Sequence, residues 1–183
     1  MTKKRRLVLI AIPAAAAVIV AAVCIFHAAA YPSGVTWRSF SQELSGGRRL
    51  VLSKKALRLV SGEESYWQTD EAWLIEDVLV TDINRDGADE LLLLLWKRGR
   101  YGKHKPSWVE EAEDEWSQHI FIYSLPEGTE TPKQLWCASD IGRLVKHWEP
   151  AEGRPWLLIL DDDKGERTWW IWDSWGLKSV EQK

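Results

Sequence analysis

The residues best suited to chemistry lie between positions 82 and 90, in the stretch DINRDGADE. Oxygen-bearing groups recur there at alternate positions: Asp82, Asn84, Asp86, the backbone carbonyl of Ala88, and Glu90. Gly87 permits the sharp turn that directs such groups inward. Hard oxygen ligands in this number suit Ca²⁺, and without a cation the carboxylates would repel one another. The spacing predicts a calcium loop; the alternative is a plain acidic turn, because Asp, Asn and Gly are common in turns.

The sequence around the loop predicts that it joins two strands. WLIEDVLVTDI (73–83) alternates between apolar and polar residues, and LLLLLW (91–96) is a continuous apolar run typical of a buried strand. An EF-hand loop instead has a bidentate Glu at its twelfth position, just before a helix. The twelfth position here is Leu93, inside the strand-like run. The loop is therefore predicted to be a calcium loop of another type.

The segment DINRDGADEL resembles the FG-GAP/VCBS-type repeat of integrin-like β-propellers, closely over residues 78–96 and more loosely as far as Trp136. The resemblance implies a bound Ca²⁺ with a stabilising, non-catalytic role. It assigns the ligands to the same set: Asp82, Asn84, Asp86, Glu90 and the Ala88 carbonyl. The FG-GAP tripeptides themselves are missing. About two repeat units cannot close a propeller of roughly 4–8 blades, so the resemblance implies an open variant or an assembly of chains.

Short strand-like segments separated by turn signals predict an antiparallel all-β domain over residues 48–183. Residues 77–136 and 142–180 form a degenerate repeat. Each is predicted to be a four-stranded meander like a propeller blade, so the domain is expected to hold about two open units. Aligning Gly153 with Gly87 leaves only Glu152 acidic in the second turn, which is therefore not predicted to bind metal. LVLSKKALRLV (50–60) is compatible with a helix or a hairpin.

The N-terminus predicts export to the cell surface. Residues 1–6 are basic (MTKKRR), and residues 7–26 carry no charge. A helix of that length spans about 30 Å, the thickness of a bilayer core. We expect a cytoplasmic stub (1–6), a transmembrane anchor (7–30), a stalk (31–47) and an extracytoplasmic β domain (48–183). The alternatives are a signal peptide cleaved after Ala30, and a lipoprotein signal at Cys24, which Val23 disfavours because a small residue is expected there.

Composition narrows the class of partner. The chain has a net charge of −3, and removing the four basic residues of the stub leaves 20 basic against 27 acidic residues. Such an acidic domain lacks the basic surface that nucleic-acid binding needs. Cys137 is the one cysteine outside the apolar segment, so no disulfide framework is expected. Export without disulfides favours a bacterial surface protein.

Tryptophan is abundant and can build much of a small core. The chain has 13: Trp37, Trp67, Trp73, Trp96, Trp108, Trp116, Trp136, Trp148, Trp156, Trp169, Trp170, Trp172 and Trp175. In TWWIWDSW, alternation places Trp170 and Trp172 on one strand face and Trp169 and Ile171 on the other. An exposed aromatic face could bind sugars, although Trp more often faces a core.

Two further segments could bind ligands. The insertion at 97–118 is longer than an ordinary hairpin loop, and its aromatic residues Tyr101, Trp108 and Trp116 are candidate ligand-binding or partner-binding residues. The alternative is a solvated loop whose Trp residues return to the core. DDDKGE (161–166) is compatible with a second metal site but is more typical of a hairpin tip.

Catalytic signatures are missing from the sequence. None of the four His residues (27, 104, 119 and 147) belongs to a metal-binding pair, and His119 and His147 are expected to pack. The sequence therefore favours a membrane-anchored, calcium-binding β-repeat module that binds a protein or glycan ligand. The alternatives are a cell-surface glycan hydrolase using acidic residues and an accessory subunit of a membrane complex. Two carboxylates about 5–10 Å apart in a pocket would favour the hydrolase, and a wide apolar patch would favour the subunit.

Overall fold

The computed structural model describes residues 31–111 and 113–181. The predicted stub and anchor at residues 1–30 lie outside this range. Within it, twelve strands form three antiparallel four-stranded sheets, so the predicted all-β class is confirmed. In the part of the chain that the structure describes, no helix has both the length and the apolar character needed to cross a bilayer.

The first sheet lies in a region for which the sequence predicted no meander. Its strands follow chain order: β1 (Phe40–Leu44), β2 (Arg48–Ser53), β3 (Ala56–Ser61) and β4 (Glu64–Gln68). β1 falls within residues 31–47, which the sequence predicted as a stalk. The ambiguous stretch at 50–60 is a hairpin, whose two-residue turn has positive φ at Lys54 (52°) and Lys55 (65°). Positive φ at both central positions matches the twist of the flanking strands.

The second and third sheets correspond to the two predicted repeat units. The second contains β5 (Leu74–Thr81), β6 (Glu90–Arg98), β7 (Trp116–Ser124) and β8 (Gln134–Cys137). The third contains β9 (Val145–Ala151), β10 (Arg154–Asp162), β11 (Arg167–Asp173) and β12 (Gly176–Val180). Both are meanders, as the repeat predicted. The expected count of about two units was too low, because residues 40–68 form a third.

The second sheet lies between the other two, and β6 explains why its sequence is continuously apolar. Leu91, Leu93 and Leu95 pack into a first core with residues of β2 and β3. Leu92 and Leu94 pack into a second core with residues of β9 and β10. Successive side chains of a strand point to opposite faces, so a strand covered on both faces must be apolar at every position.

A buried polar network joins the second sheet to the third. A register shift between Ile75 and Asp77 marks a bulge at Glu76, and a bulge re-aims side chains. Glu76 Oε2 accepts hydrogen bonds from Trp96 Nε1 and Gln118 Nε2, each at 2.7 Å. Gln118 in turn accepts from the backbone N–H of Val145 at 2.7 Å and donates to its carbonyl at 3.0 Å. The network thus fixes how β9 docks on the second sheet.

Asp77, the next residue, makes a second link of the same kind. It accepts a hydrogen bond from Trp148 Nε1 on β9 at 2.9 Å and forms an ion pair with Arg38 at 2.9 Å. Asp77 is 4 % exposed, so its charge needs these partners. The adjacent acidic side chains Glu76 and Asp77 on β5 therefore link the second sheet to the third and take no part in the loop at 82–90 that follows.

Candidate metal site

The loop at residues 82–90 connects β5 to β6, as the sequence predicted. Its position is fixed on two sides. Ile83 is 1 % exposed and packs in the second core. Thr81, the last residue of β5, donates its hydroxyl to the Pro155 carbonyl of β10 at 2.7 Å. The polar positions of the loop are consequently held at one edge of the stack, beside the turn between β9 and β10.

The first acidic residues order the loop through the backbone. Asp82 accepts hydrogen bonds from the N–H groups of Asp86 and Gly87, each at 3.1 Å. Asp86 Oδ1 accepts from the Ala88 N–H at 2.9 Å. That bond and the one from Asn84 lower the pKa of Asp86 below its ordinary value, because both favour the charged form. Gly87 has a φ of 90°, so a residue with a Cβ would be strained there.

Glu90, the last residue of the loop, binds the backbone at its start. It is 2 % exposed at the start of β6, and its Oε2 accepts hydrogen bonds from the backbone N–H groups of Ile83 (3.0 Å) and Asn84 (3.4 Å). Burial raises the pKa of Glu90 to about 7, and the nearby charges of Asp86 and Asp82 act in the same direction. A buried carboxyl group here is costly to ionise unless a cation accompanies it.

Asn84 brings the acidic groups to one point. Its Nδ2 donates to Asp86 Oδ2 at 2.9 Å and to Glu90 Oε1 at 2.8 Å. Both carboxyl groups thus face a single position, which a hydrogen-bond donor fills. Within residues 31–111 and 113–181, no three or more His, Cys, Asp or Glu side chains are grouped as a metal would need. Coordination by this loop would therefore require the Asn84 amide to turn and present its oxygen.

The equivalent turn of the third sheet lacks the set of oxygen-bearing side chains found at residues 82–90. Glu152 and Gly153 connect β9 to β10, and Gly153 has a φ of 67°. Trp148, which aligns with Asp82 in the repeat, is 3 % exposed and belongs to the second core. The repeat therefore keeps the turn while replacing polar positions by packing residues.

Sequence reasoning missed one contact of the loop. The Arg85 guanidinium stacks on the ring of Trp156, with its central carbon 3.7 Å from the ring centroid. Arg85 has a φ of 67°, which is uncommon for a residue with a Cβ. The two residues lie far apart in sequence, and nothing in either segment pairs them. The sequence therefore carried no signal for this contact.

The insertion at 97–118 places its predicted ligand residues in different surroundings. Trp108 is 81 % exposed, whereas Trp116 begins β7 with the Arg98 guanidinium over its ring. Trp116 also lines a hollow of about 410 Å³ between the insertion and Asp140. Tyr101 lies beneath Arg100, and its carbonyl accepts a hydrogen bond from Lys97 Nζ at 2.9 Å.

At the base of the insertion, the polar side chain of His119 is buried and hydrogen-bonded. His119 is fully buried and donates from Nδ1 to the Ala138 carbonyl at 2.9 Å. In the neutral ring that bond leaves Nε2 without a proton; Nε2 lies 2.8 Å from Ser117 Oγ, whose hydroxyl donates to the Gly99 carbonyl at 2.6 Å. Burial lowers the pKa of His119, which favours that neutral form. These bonds support the expectation that His119 is a packing residue.

The segment at 161–166 forms the turn of the hairpin between β10 and β11, as the sequence predicted. Asp162 Oδ1 accepts hydrogen bonds from the N–H groups of Lys164 and Glu166, each at 2.9 Å. Asp161 forms a two-bond pair with Arg167 at 2.7 and 2.8 Å. These carboxyl groups are thus engaged in the turn itself.

Comparison of the chain with protein-family models, with curated proteins and with solved structures found no match.

Proposed function

We propose that residues 82–90 bind one Ca²⁺ and that this ion stabilises an extracytoplasmic, membrane-anchored β domain that serves as a binding module. One observation carries the proposal. Asp86 and the buried Glu90 both direct an oxygen to the point held by Asn84 Nδ2, at 2.9 and 2.8 Å. Ca²⁺ takes six to eight oxygen ligands in flexible geometry, so a mixed set of carboxyl, amide and backbone oxygens suits it.

The donor set of the loop fits a calcium ion. The ligands we assign are the side chains of Asp82, Asn84, Asp86 and Glu90 and the Ala88 carbonyl. Asp82 uses its oxygens for two backbone N–H groups at 3.1 Å, and each carboxylate oxygen has a further lone pair for a metal. A divalent ion would also offset the repulsion among three acidic groups in one short loop.

The ion would stabilise the fold rather than take part in a reaction. The loop joins strands β5 and β6 of the second sheet, and Arg85 and Thr81 tie it to β10. Fixing the loop therefore constrains the second and third sheets together. The hydrolase and complex-subunit alternatives stay predictions.

Calcium is expected to raise the thermal stability of the full 183-residue chain in a non-ionic detergent. A ligand that binds only the folded state adds about 2.7 kcal/mol at 100 times its Kd. For a chain of this size that corresponds to a rise in Tm of roughly 5–10 °C. Mg²⁺ is expected to have a smaller effect, because it demands a tighter octahedral shell. Differential scanning calorimetry with Ca²⁺, with Mg²⁺ and with chelator measures this.

Loop variants separate site binding from a general ionic effect. Asp86→Ala is expected to abolish the Ca²⁺ shift, whereas Asp89→Ala, a neighbouring exposed acidic residue outside the ligand set, is expected to keep it. Each variant is compared with itself in chelator, so any change in apo stability cancels. An unchanged Tm in Ca²⁺ for the unmodified chain, or equal shifts in the two variants, would refute the proposal.

A further inference from the structure

The outer face of the third sheet carries apolar side chains among paired charges, and no other sheet of residues 31–111 and 113–181 covers it. Trp170 and Trp172 share one face, as alternation predicted, and pack against the second core. Trp169 and Ile171 therefore point the other way, and both are only half-buried. Ile171 lies opposite Leu157 in the sheet register. The corresponding face of the first sheet instead carries polar groups such as Arg49 and Arg58.

A hollow of about 210 Å³ lies on this face, next to the loop at 82–90. It is lined by the apolar side chains of Leu157 and Ile171 and by the rings of Trp156 and Trp169. The exposed Arg85 and Arg154 also line it. The hollow thus combines flat aromatic surfaces with two guanidinium groups, which is how polar ligands with an apolar face are usually held.

Several charged side chains on this face form ion pairs, whereas Arg85, Arg154 and the exposed Glu181 at the hollow do not among the described residues. Arg167 binds Asp161 at 2.7 Å, Lys178 lies 3.5 Å from Asp173, and His147 lies 3.6 Å from Glu149. Neither Arg85 nor Arg154 has a carboxyl partner within 4.0 Å among residues 31–111 and 113–181.

Arg85 is also held in place. Its guanidinium stacks on Trp156, which leaves the edge of the planar group available for hydrogen bonds. Its backbone adopts the uncommon φ of 67°, a conformation that persists only where its surroundings favour it. An arginine that is already oriented loses less side-chain entropy when an anion binds.

We propose that this hollow binds a carboxylated sugar unit of an acidic polysaccharide. Guanidinium groups match a carboxylate by paired, charge-assisted hydrogen bonds. The Trp156 and Trp169 rings offer flat apolar surfaces to the C–H face of a sugar ring. Glu181, which also lines the hollow, can accept hydrogen bonds from sugar hydroxyl groups. This inference deepens the binding-module function proposed above but does not require the metal.

A second copy of the chain fits the same face less well. In a symmetric contact through this face, the two arginines of each copy would need carboxyl partners on the other copy, and among the residues lining the hollow only Glu181 offers one. Head-to-tail stacking would instead place the apolar face against the polar outer face of the first sheet. An anionic ligand, by contrast, would neutralise the two guanidinium groups.

The test uses fluorescence anisotropy of an end-labelled hyaluronan tetrasaccharide, which alternates glucuronate with N-acetylglucosamine, added to the full chain in a non-ionic detergent. Unlabelled chitotetraose, of the same length without carboxylates, and benzoate serve as competitors. We expect the acidic tetrasaccharide to bind at least about tenfold more tightly than chitotetraose and benzoate. Binding is expected to weaken as salt increases, because the guanidinium contacts are solvent-accessible.

Variants then locate the binding. Arg154→Gln and Trp169→Ala are each expected to weaken it at least about tenfold. The matched controls Arg58→Gln and Trp175→Ala change exposed residues outside the hollow and are expected to stay within about twofold. Arg154 lies outside the calcium loop, so Arg154→Gln should keep the Ca²⁺ stabilisation. Running every titration in Ca²⁺ and in chelator thus distinguishes failure of this proposal from failure of the metal proposal.

Four outcomes would overturn the proposal. The first is no binding of the acidic tetrasaccharide, and the second is equal competition by chitotetraose or by benzoate. The third is unchanged affinity in Arg154→Gln and Trp169→Ala. The fourth is a dimer in sedimentation velocity that Trp169→Ala dissociates, because a second copy would then cover the face.

Discussion

Replacing Glu76 by alanine is expected to lower the free energy of unfolding by about 2–6 kcal/mol, because two buried donors each lose an acceptor at about 1–3 kcal/mol. These are the indole N–H of Trp96 and an amide N–H of Gln118, which both bond to Glu76 Oε2 at 2.7 Å. Gln118 carries the contact onward to Val145 on β9. The loss should therefore reach the docking of the third sheet. Urea unfolding of the full chain in detergent measures it.

Two control variants accompany the Glu76→Ala measurement. Glu76→Gln keeps an acceptor oxygen at nearly the same place and is expected to lose about 1 kcal/mol. Glu64→Ala changes an exposed residue of β4 and is expected to stay within about 0.5 kcal/mol. A Glu76→Ala variant as stable as Glu64→Ala would contradict the role assigned to the network.

The second large effect is expected in the first core. Phe121→Ala is predicted to cost about 3–5 kcal/mol, since it removes a large buried side chain and leaves a cavity. Phe121 is fully buried on β7, and its ring meets Trp73 edge-on with centroids 5.0 Å apart. Because small domains are stable by only about 5–15 kcal/mol, this variant should unfold at far lower urea concentration.

The size of the side chain and its burial can be tested separately. Phe121→Leu keeps most of the apolar contact and is expected to cost about 1–2 kcal/mol. Trp108→Ala removes an even larger ring, but one that is 81 % exposed, and should change stability by less than about 0.5 kcal/mol. Equal losses for Phe121→Ala and Trp108→Ala would mean that the first core is not placed as described.

The second and third sheets could be predicted from the sequence because local patterns and tertiary packing agree there. Five consecutive leucines predicted a buried strand, and β6 lies between two cores. Alternation in TWWIWD predicted that Trp170 and Trp172 share one face, and both do pack against the second core.

The first sheet was harder to predict because its turn chemistry is unusual. The turn between β2 and β3 uses Lys54 and Lys55 at positive φ, where Asn and Gly are the common residues. LVLSKKALRLV consequently lacks the Asn or Gly residues that mark a hairpin turn, and its pattern is equally compatible with a helix. β1 lies in a polar segment with few apolar positions, so no periodicity marked it.

The candidate site was predictable only as far as its own chain segment. The spacing of Asp82, Asn84, Asp86 and Glu90 placed the loop between two strands, as the structure has it. The stacking of Arg85 on Trp156 and the hydrogen bond from Thr81 to Pro155 depend on how two sheets meet. Such contacts follow from tertiary packing, so neither segment could indicate them alone.

Isothermal titration of the full chain with Ca²⁺ measures metal binding by residues 82–90. We expect one ion to bind per chain, with the affinity weakened at least about tenfold in Glu90→Gln. Glu90→Gln keeps the size of the buried side chain and removes the charge. Asp89→Ala should bind as the unmodified chain does. An absence of Ca²⁺ binding, or equal affinities for Glu90→Gln and Asp89→Ala, would contradict the account.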